Sequence, residues 1–314
     1  MRALRFVVLL LVPLLVLTLV PATPSLGEPA AAPVNGDPHG PAYVAMGSSF
    51  AAGPGIKPAE AGSPAKCVRS AANYANLVAA RLGEHLTDVS CTGATTADVL
   101  TAAQSGQPPQ IDAVGPATRL VTVTIGGNDI DYFGSLAAYS CHDAGGRTCH
   151  AVNTAAIRRA LSVLTRRLEN VVRAIHARAP RARVLLVNYF TVLPARGACA
   201  GVPLSARHAA YERSLAASLA RDTATAAHAA GATLVDLAAA SAAHDACSAQ
   251  PWVNTFTPGP GYWPYHPTSA GMAGAALLIE QALRAAPPRR GSGTISAMTT
   301  KNINVLKGAA PLAR

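Results

Sequence analysis

The chain has 314 residues, half of them apolar and 13% charged, with six cysteines and a formal net charge of +10. A chain of this length and apolar content can bury one sizeable core. The charge does not indicate nucleic-acid binding, because the last 28 residues carry +5 of it and many other arginines lie along helix faces without interleaved aromatic residues.

The N-terminus has the pattern of a secretory signal. Arg2 and Arg5 precede an apolar run, Phe6 to Val20, which Pro13 interrupts and which is shorter than the ~20 residues of a spanning helix. We therefore assign residues 1–32 to a signal and processing region and predict export, with an uncleaved anchor as the alternative. Both Val20-Pro21-Ala22 and Ala30-Ala31-Ala32 suit the signal peptidase, so the cleavage position stays open.

Strand-like and helix-like segments then alternate. The predicted strands are Tyr43 to Met46, Thr87 to Ser90, Leu120 to Ile125, Arg183 to Asn188 and Thr233 to Leu237. The predicted helices are Ser70 to Leu82, Ile157 to Ala179, Leu204 to Ala230, and Ser269 to Ala285, the last one capped by Thr268 or Ser269. This alternation predicts an α/β fold, with a parallel sheet covered on both faces and active loops at the carboxyl ends of the strands.

Composition changes at Pro287. The last 28 residues hold five basic residues, no acid and no convincing apolar period. We predict one domain over residues 33–286 and a disordered basic tail over residues 287–314.

Four short motifs follow predicted strands or precede the last helix. Ser49 lies in Gly47-Ser48-Ser49, Gly93 in Cys91-Thr92-Gly93, Asn128 in Gly126-Gly127-Asn128-Asp129, and His266 in an aromatic-rich loop before Pro267. A serine, backbone and amide N–H donors and a histidine at one sheet edge supply a nucleophile, an oxyanion hole and a base.

Together these motifs resemble the SGNH (GDSL) hydrolases, a family of secreted esterases and lipases, over about residues 42 to 285. The resemblance implies a flavodoxin-like three-layer α/β/α sandwich with about five parallel strands. It also implies catalytic Ser49 and His266, and an oxyanion hole made by Ser49, Gly93 and Asn128. Two positions depart from the family pattern: Ser48 replaces the usual Asp before the nucleophile, and Trp263 replaces the usual Asp three residues before the histidine.

Other assignments of these motifs fit less well. Ser48 is a rival nucleophile, but alignment to the family motif gives it the Asp position. No Lys-Ser/Thr follows the glycines as a phosphate-binding P-loop requires, and Gly47-Ser48-Ser49-Phe50-Ala51 fails the Gly-x-Ser-x-Gly pattern of α/β-hydrolases.

The substitution at Trp263 removes the expected carboxylate partner of His266. No Asp or Glu occurs between Ala246 and Ile279. We expect a Ser49–His266 dyad in which the backbone carbonyl of Trp263 orients the imidazole, and this weaker partner would lower the rate or shift the optimum to alkaline pH. The alternative is a distant acid, Asp236 or Asp245.

Six cysteines in an exported chain indicate disulfides, with 15 possible connectivities. The simplest is sequential, as in similar secreted members of the family: Cys67–Cys91, Cys141–Cys149 and Cys199–Cys247. No CxxC motif is present, so we expect no bound metal, and no organic cofactor.

The resemblance implies an exported serine esterase or lipase that cleaves lipid or simple acyl esters through an acyl-enzyme on Ser49. We expect a monomer that makes at most peripheral contact with lipid or cell wall. The alternatives are a polysaccharide acetylesterase and a non-catalytic wall- or surface-binding module that keeps the fold.

Overall fold

The computed structural model describes residues 42–257 and 259–285. The predicted signal region, residues 1–32, and the predicted tail, residues 287–314, lie outside the described residues.

A five-stranded parallel sheet forms the centre of the fold. Its strands are β1 (Tyr43–Gly47), β2 (Leu86–Asp88), β3 (Leu120–Thr124), β4 (Arg183–Val187) and β5 (Thr233–Val235), in the order β2-β1-β3-β4-β5. β1 and β3 are buried along their whole length, as strands covered on both faces require. The predicted α/β class and all five strands are confirmed, with ends that differ by at most two residues.

Eight helices accompany these strands within the described residues. They are α1 (Ser49–Ala52), α2 (Tyr74–Leu82), α3 (Thr96–Leu100), α4 (Tyr132–Asp143), α5 (Thr154–Arg178), α6 (Ala206–Ala230), α7 (Leu237–Ala240) and α8 (Ser269–Arg284). α5 packs against α6, and α2 packs against α8, which gives an α/β sandwich. On α5 the predicted apolar period is the buried face, where Leu164, Leu168 and Ile175 are inaccessible to solvent.

The predicted helices correspond to α2, α5, α6 and α8, with ends that differ by up to four residues, whereas α1, α3, α4 and α7 were not predicted. α2 begins at Tyr74, four residues later than expected, because the Asn73 side chain accepts a hydrogen bond from the Asn76 N–H and so caps the helix. The sequence did not predict α4, whose segment contains Gly134 and shows a weak helical period. α8 begins after Thr268, whose hydroxyl accepts from the Gly271 N–H, so Thr268 rather than Ser269 is its cap.

Three disulfides cross-link the chain in the sequential pairing: Cys67–Cys91, Cys141–Cys149 and Cys199–Cys247. Cys67–Cys91 ties the segment after α1 to the segment after β2, so it lies close to the sheet edge where Ser49 and Gly93 emerge. Among the described residues, no helix combines the length and apolar character needed to cross a bilayer.

Candidate active site

Ser49 is the first residue of α1, directly after β1 turns away from the sheet. The turn depends on Gly47, which has φ +134°, and a Cβ there would lie 2.3 Å from the Thr124 carbonyl oxygen of β3. The Ser48 N–H donates to that same carbonyl at 2.9 Å. The chain therefore passes β3 at close range and presents Ser49 at the carboxyl end of the sheet.

His266 contacts Ser49 directly. Its Nε2 lies 2.9 Å from the Ser49 Oγ, and its Nδ1 lies 2.8 Å from the Pro264 carbonyl oxygen. A carbonyl only accepts, so Nδ1 carries the proton and Nε2 is free to accept the serine proton. The expectation that the Trp263 carbonyl orients the ring is wrong: that carbonyl accepts the His266 backbone N–H at 3.3 Å, and the ring bonds to Pro264 instead.

The imidazole lies in an apolar setting. The rings of Phe50, Phe133 and Trp263 have their centroids 5.4 to 5.7 Å from the His266 ring, and His266 itself is 8% exposed. This burial lowers the pKa of His266 to about 4, although the hydrogen bond to Pro264 acts in the opposite direction. His266 is therefore a neutral imidazole, the form that a general base needs, at neutral pH.

The two acids considered as distant partners of His266 are engaged elsewhere. Asp236 accepts from the Asn188 side chain at 2.8 Å and from the Ala239 N–H at 3.1 Å, so it caps α7. Asp245 accepts from the Cys247 N–H at 2.8 Å. Neither carboxylate bonds to His266. Among the described residues, Ser49 and His266 therefore form a dyad, and the Pro264 carbonyl takes the place of a carboxylate at Nδ1.

The three residues predicted to donate to an oxyanion follow neighbouring strands of the sheet. Ser49, Gly93 and Asn128 follow β1, β2 and β3, which are neighbours in the sheet. The N–H groups of Ser49 and Gly93 have no hydrogen-bond partner among the described residues. Asn128 donates one side-chain amide hydrogen to the Ala94 carbonyl at 2.8 Å, and its second amide hydrogen has no acceptor among the described residues. Unused donors at one sheet edge fit an oxyanion hole.

Asp129 links the loop of Asn128 to the loop of Gly93. Its two oxygens accept from the Thr96 N–H at 3.0 Å and the Thr96 hydroxyl at 2.5 Å, at the start of α3. Arg167 of α5 approaches the same carboxylate at 3.4 Å from the solvent side. The relative position of Gly93 and Asn128 therefore depends on Asp129 and on the bond from Asn128 to Ala94.

Two buried polar side chains that the sequence did not single out support the nucleophile turn. The Tyr189 hydroxyl, beyond β4, contacts the Ser48 Oγ at 3.2 Å and accepts from the Gly127 N–H at 2.9 Å. The Gln110 amide bonds to both the N–H and the carbonyl of Gly47, at 2.7 and 3.0 Å. Ser48 thus contacts Tyr189, whereas Ser49 contacts His266. In the sequence, the only feature that points to this supporting role of Tyr189 is its position at the end of a predicted strand.

The arrangement has the parts that acyl transfer needs: a hydroxyl bonded to a neutral imidazole, an acceptor that fixes the tautomer, and free N–H donors beside the hydroxyl. Among residues 42–257 and 259–285, no cluster of three or more His, Cys, Asp or Glu side chains is placed to hold a metal ion.

Several known proteins are similar to this chain in sequence and in fold. A sequence model of the GDSL-like Lipase/Acylhydrolase family matches residues 45–273. Lipase 2 of Streptomyces coelicolor is 37% identical over 243 residues, covering 73% of this chain and 81% of that protein. The crystal structure of an extracellular lipase from Streptomyces rimosus superposes with a TM-score of 0.64 at 30% identity, covering 76% of this chain and 98% of the other.

A second crystal structure, phospholipase A1 from Streptomyces albidoflavus, also has a TM-score of 0.64, at 26% identity, and covers 77% of this chain and 99% of the other. The match of the family model extends from β1 through the first residues of α8, and so includes Ser49, Gly93, Asn128 and His266. The chain therefore belongs to the GDSL-like lipase/acylhydrolase family and is a carboxylic ester hydrolase.

Proposed function

We propose that the protein is an exported serine esterase or lipase that hydrolyses lipid or simple acyl esters through an acyl-enzyme on Ser49. The observation that carries this proposal is the 2.9 Å contact between the Ser49 Oγ and the His266 Nε2, with the His266 Nδ1–H donated to Pro264. This geometry leaves the nitrogen that faces the serine as an acceptor.

The reaction follows from these positions. His266 takes the Ser49 proton as the Oγ attacks the ester carbonyl, and the new oxyanion accepts hydrogen bonds from the N–H groups of Ser49 and Gly93 and from Asn128. The imidazolium then protonates the leaving alcohol. His266 then deprotonates a water molecule, which attacks the acyl-enzyme, and the imidazolium returns the proton to the Ser49 Oγ as the carboxylic acid leaves. The Pro264 carbonyl holds the ring throughout both steps.

A fluorophosphonate probe tests the nucleophile, because only an activated serine reacts with it. We expect Ser49→Ala to abolish labelling and ester hydrolysis. Ser48→Ala is the matched control, since Ser48 contacts Tyr189 and not His266, and it should keep labelling and much of the rate. Labelling that persists in Ser49→Ala would refute the assignment.

Lipid or acyl esters are the substrate class that we favour, since the similar proteins named above include lipases and a phospholipase. Two aromatic side chains on the loop before His266, Tyr262 and Trp263, are 47% and 36% exposed, which suits contact with a lipid surface. A panel of esters from acetyl to dodecanoyl, together with acetylated xylan, separates a lipid esterase from a polysaccharide acetylesterase. Release of acetate from xylan in preference to longer acyl esters would overturn the substrate class.

Export as a monomer completes the proposal. The support for export is the charged and apolar pattern of residues 1–32, three disulfides, and similarity to a lipase described as extracellular. Expression of the full-length chain in a secreting bacterium, followed by N-terminal sequencing of the protein in the medium, tests export and fixes the cleavage position. Size-exclusion chromatography with light scattering tests the monomer.

A further inference from the structure

An apolar cavity of about 260 Å³ lies between α6 and the segments that follow β4 and β5. Phe190, Val192 and Leu193 line it from the segment after β4, and Leu219 lines it from α6, with several alanines completing the walls. Tyr189, whose hydroxyl contacts Ser48, also lines the cavity, but neither Ser49 nor His266 does. We call this space the α6 cavity.

The α6 cavity contains a single charged lining residue, Arg213. Its Nε donates to the Pro194 carbonyl at 2.7 Å and its Nη2 to the Gly197 carbonyl at 2.5 Å, so the guanidinium is held in place and three of its five N–H groups remain. Among the described residues no carboxylate lies within ion-pair distance of Arg213.

The acid next to Arg213 in the chain does not neutralise it. Glu212 is fully buried, and this burial raises the pKa of its carboxyl to about 8, so Glu212 is uncharged at neutral pH. A fixed guanidinium with free donors beside an apolar cavity fits a ligand with a carboxylate at one end and a hydrocarbon body.

We propose that the α6 cavity is a second binding site, separate from Ser49, for the anion of a medium-chain fatty acid. The hydrocarbon chain packs against Phe190, Leu193 and Leu219, and the carboxylate accepts hydrogen bonds from Arg213. The volume admits a chain on the order of ten carbons. The ligand class follows from the cavity lining and does not rest on hydrolysis at Ser49.

Titration calorimetry on the full-length Ser49→Ala protein tests the site without turnover, at ligand concentrations below micelle formation. We expect saturable, one-to-one binding of decanoate, and affinity that rises roughly three- to fourfold per methylene from hexanoate to decanoate. Decan-1-ol and decyltrimethylammonium have chains of the same length, and they should bind at least about tenfold more weakly than decanoate, because only the carboxylate pairs with Arg213.

Substitutions locate the site. Arg213→Gln should weaken decanoate binding by about tenfold or more and leave decan-1-ol binding unchanged, whereas Arg221→Gln, on the same helix but outside the cavity, should change neither. Ala220→Leu should weaken both ligands by filling the cavity, and Ala210→Leu, the same change at an exposed position of α6, should leave both unchanged.

Three results would overturn the proposal: no saturable binding of decanoate, equal affinity for decanoate and decan-1-ol, or equal effects of Arg213→Gln and Arg221→Gln. The comparison of ligands on the unsubstituted cavity does not depend on any cavity variant folding. Because Ser49→Ala cannot hydrolyse esters through Ser49, loss of decanoate binding and loss of the proposed hydrolysis are separate outcomes.

Discussion

The two sides of Ser49 are built differently. On one side, His266 is 8% exposed, faces the rings of Phe50, Phe133 and Trp263, and has a single polar partner for its Nδ1. On the other side, Gly93 is exposed and Asn128 is only partly buried, and several hydrogen bonds link their loops.

The difference follows from what each side must do. The base needs a defined tautomer and no proton at neutral pH, and burial beside one carbonyl supplies both. The oxyanion donors must instead stay open to the substrate and still be fixed before it arrives, which hydrogen bonds between the loops achieve. We therefore expect substitutions on the His266 side to act on proton transfer and those on the Asn128 side to act on transition-state binding.

The largest effect should come from His266→Ala. Without the base, kcat should fall by a factor on the order of 10⁴ or more, as in other serine hydrolases that lose a member of the catalytic group. Asp236→Asn and Asp245→Asn are the controls, and each should stay within about tenfold of the unsubstituted enzyme, because neither carboxylate reaches His266.

Steady-state kinetics with a soluble acyl ester measures these variants, and circular dichroism checks that they fold. If either Asn variant loses nearly as much activity as His266→Ala while staying folded, a carboxylate completes the catalytic group and the dyad is wrong.

On the opposite side, Asn128→Ala should lower kcat by ~10²–10³ and leave KM almost unchanged, because the lost donor acts on the charge that develops in the transition state. Asn128→Asp is a useful companion, since it keeps the size of the side chain and replaces the donor with an acceptor. A change in KM alone would identify Asn128 as a binding or loop residue.

Asp129→Ala should have a smaller effect on the same side, roughly tenfold on kcat, because it frees the start of α3 and so loosens Gly93 relative to Asn128. Arg167→Met is the matched control: it removes an ion pair with a solvent-exposed arginine, which contributes little, and should leave kcat within about twofold. Equal losses in the two variants would mean that the ion pair, not the bond to Thr96, positions the loop.

The sequence predicted the parts of this site that depend on the order of elements. Ser49, Gly93 and Asn128 each follow a strand with a clear apolar run, and the carboxyl ends of parallel strands meet at one edge. The fold was predictable for the same reason, and α5 has an unbroken apolar period over its length. α4 has no such period, so its burial depends on tertiary contacts that a single sequence does not display.

The details that depend on loop conformation were not predictable. Trp263 and Pro264 are adjacent, and the carbonyl that reaches the imidazole is decided by the local backbone, in which Tyr265 adopts a φ of +60°. The partners of Tyr189 lie 141 and 62 residues away in the chain, and Gln110 contacts Gly47 across 63 residues. No local pattern marks such contacts.

The smallest expected effect concerns pH, and it sharpens the comparison because His266 has an ionisable side chain on one side of Ser49, whereas the donors Gly93 and Asn128 on the other side do not ionise. The pKa of His266 is lowered to about 4 by burial, so the imidazole stays unprotonated far below the ordinary value of 6.5. At pH 5.5 about nine-tenths or more of the enzyme should still hold a free base, whereas an ordinary histidine would leave about one-tenth. The acid limb of kcat/KM should therefore lie near pH 4, opposite in direction to the alkaline shift expected from the sequence.

Unfolding adds its own pH dependence. The unfolded chain binds a proton at His266 below about pH 6.5, whereas the folded chain binds it only near pH 4. The contribution of His266 to the free energy of unfolding therefore decreases as pH falls from about 6.5 to 4. Initial rates measured within seconds of dilution into buffers from pH 4 to 8, with folding followed by tryptophan fluorescence, separate the two effects. An acid limb at pH 6 to 7 in enzyme that is still folded would show that water or a polar group reaches the imidazole, and that the two sides of Ser49 are less different than their burial indicates.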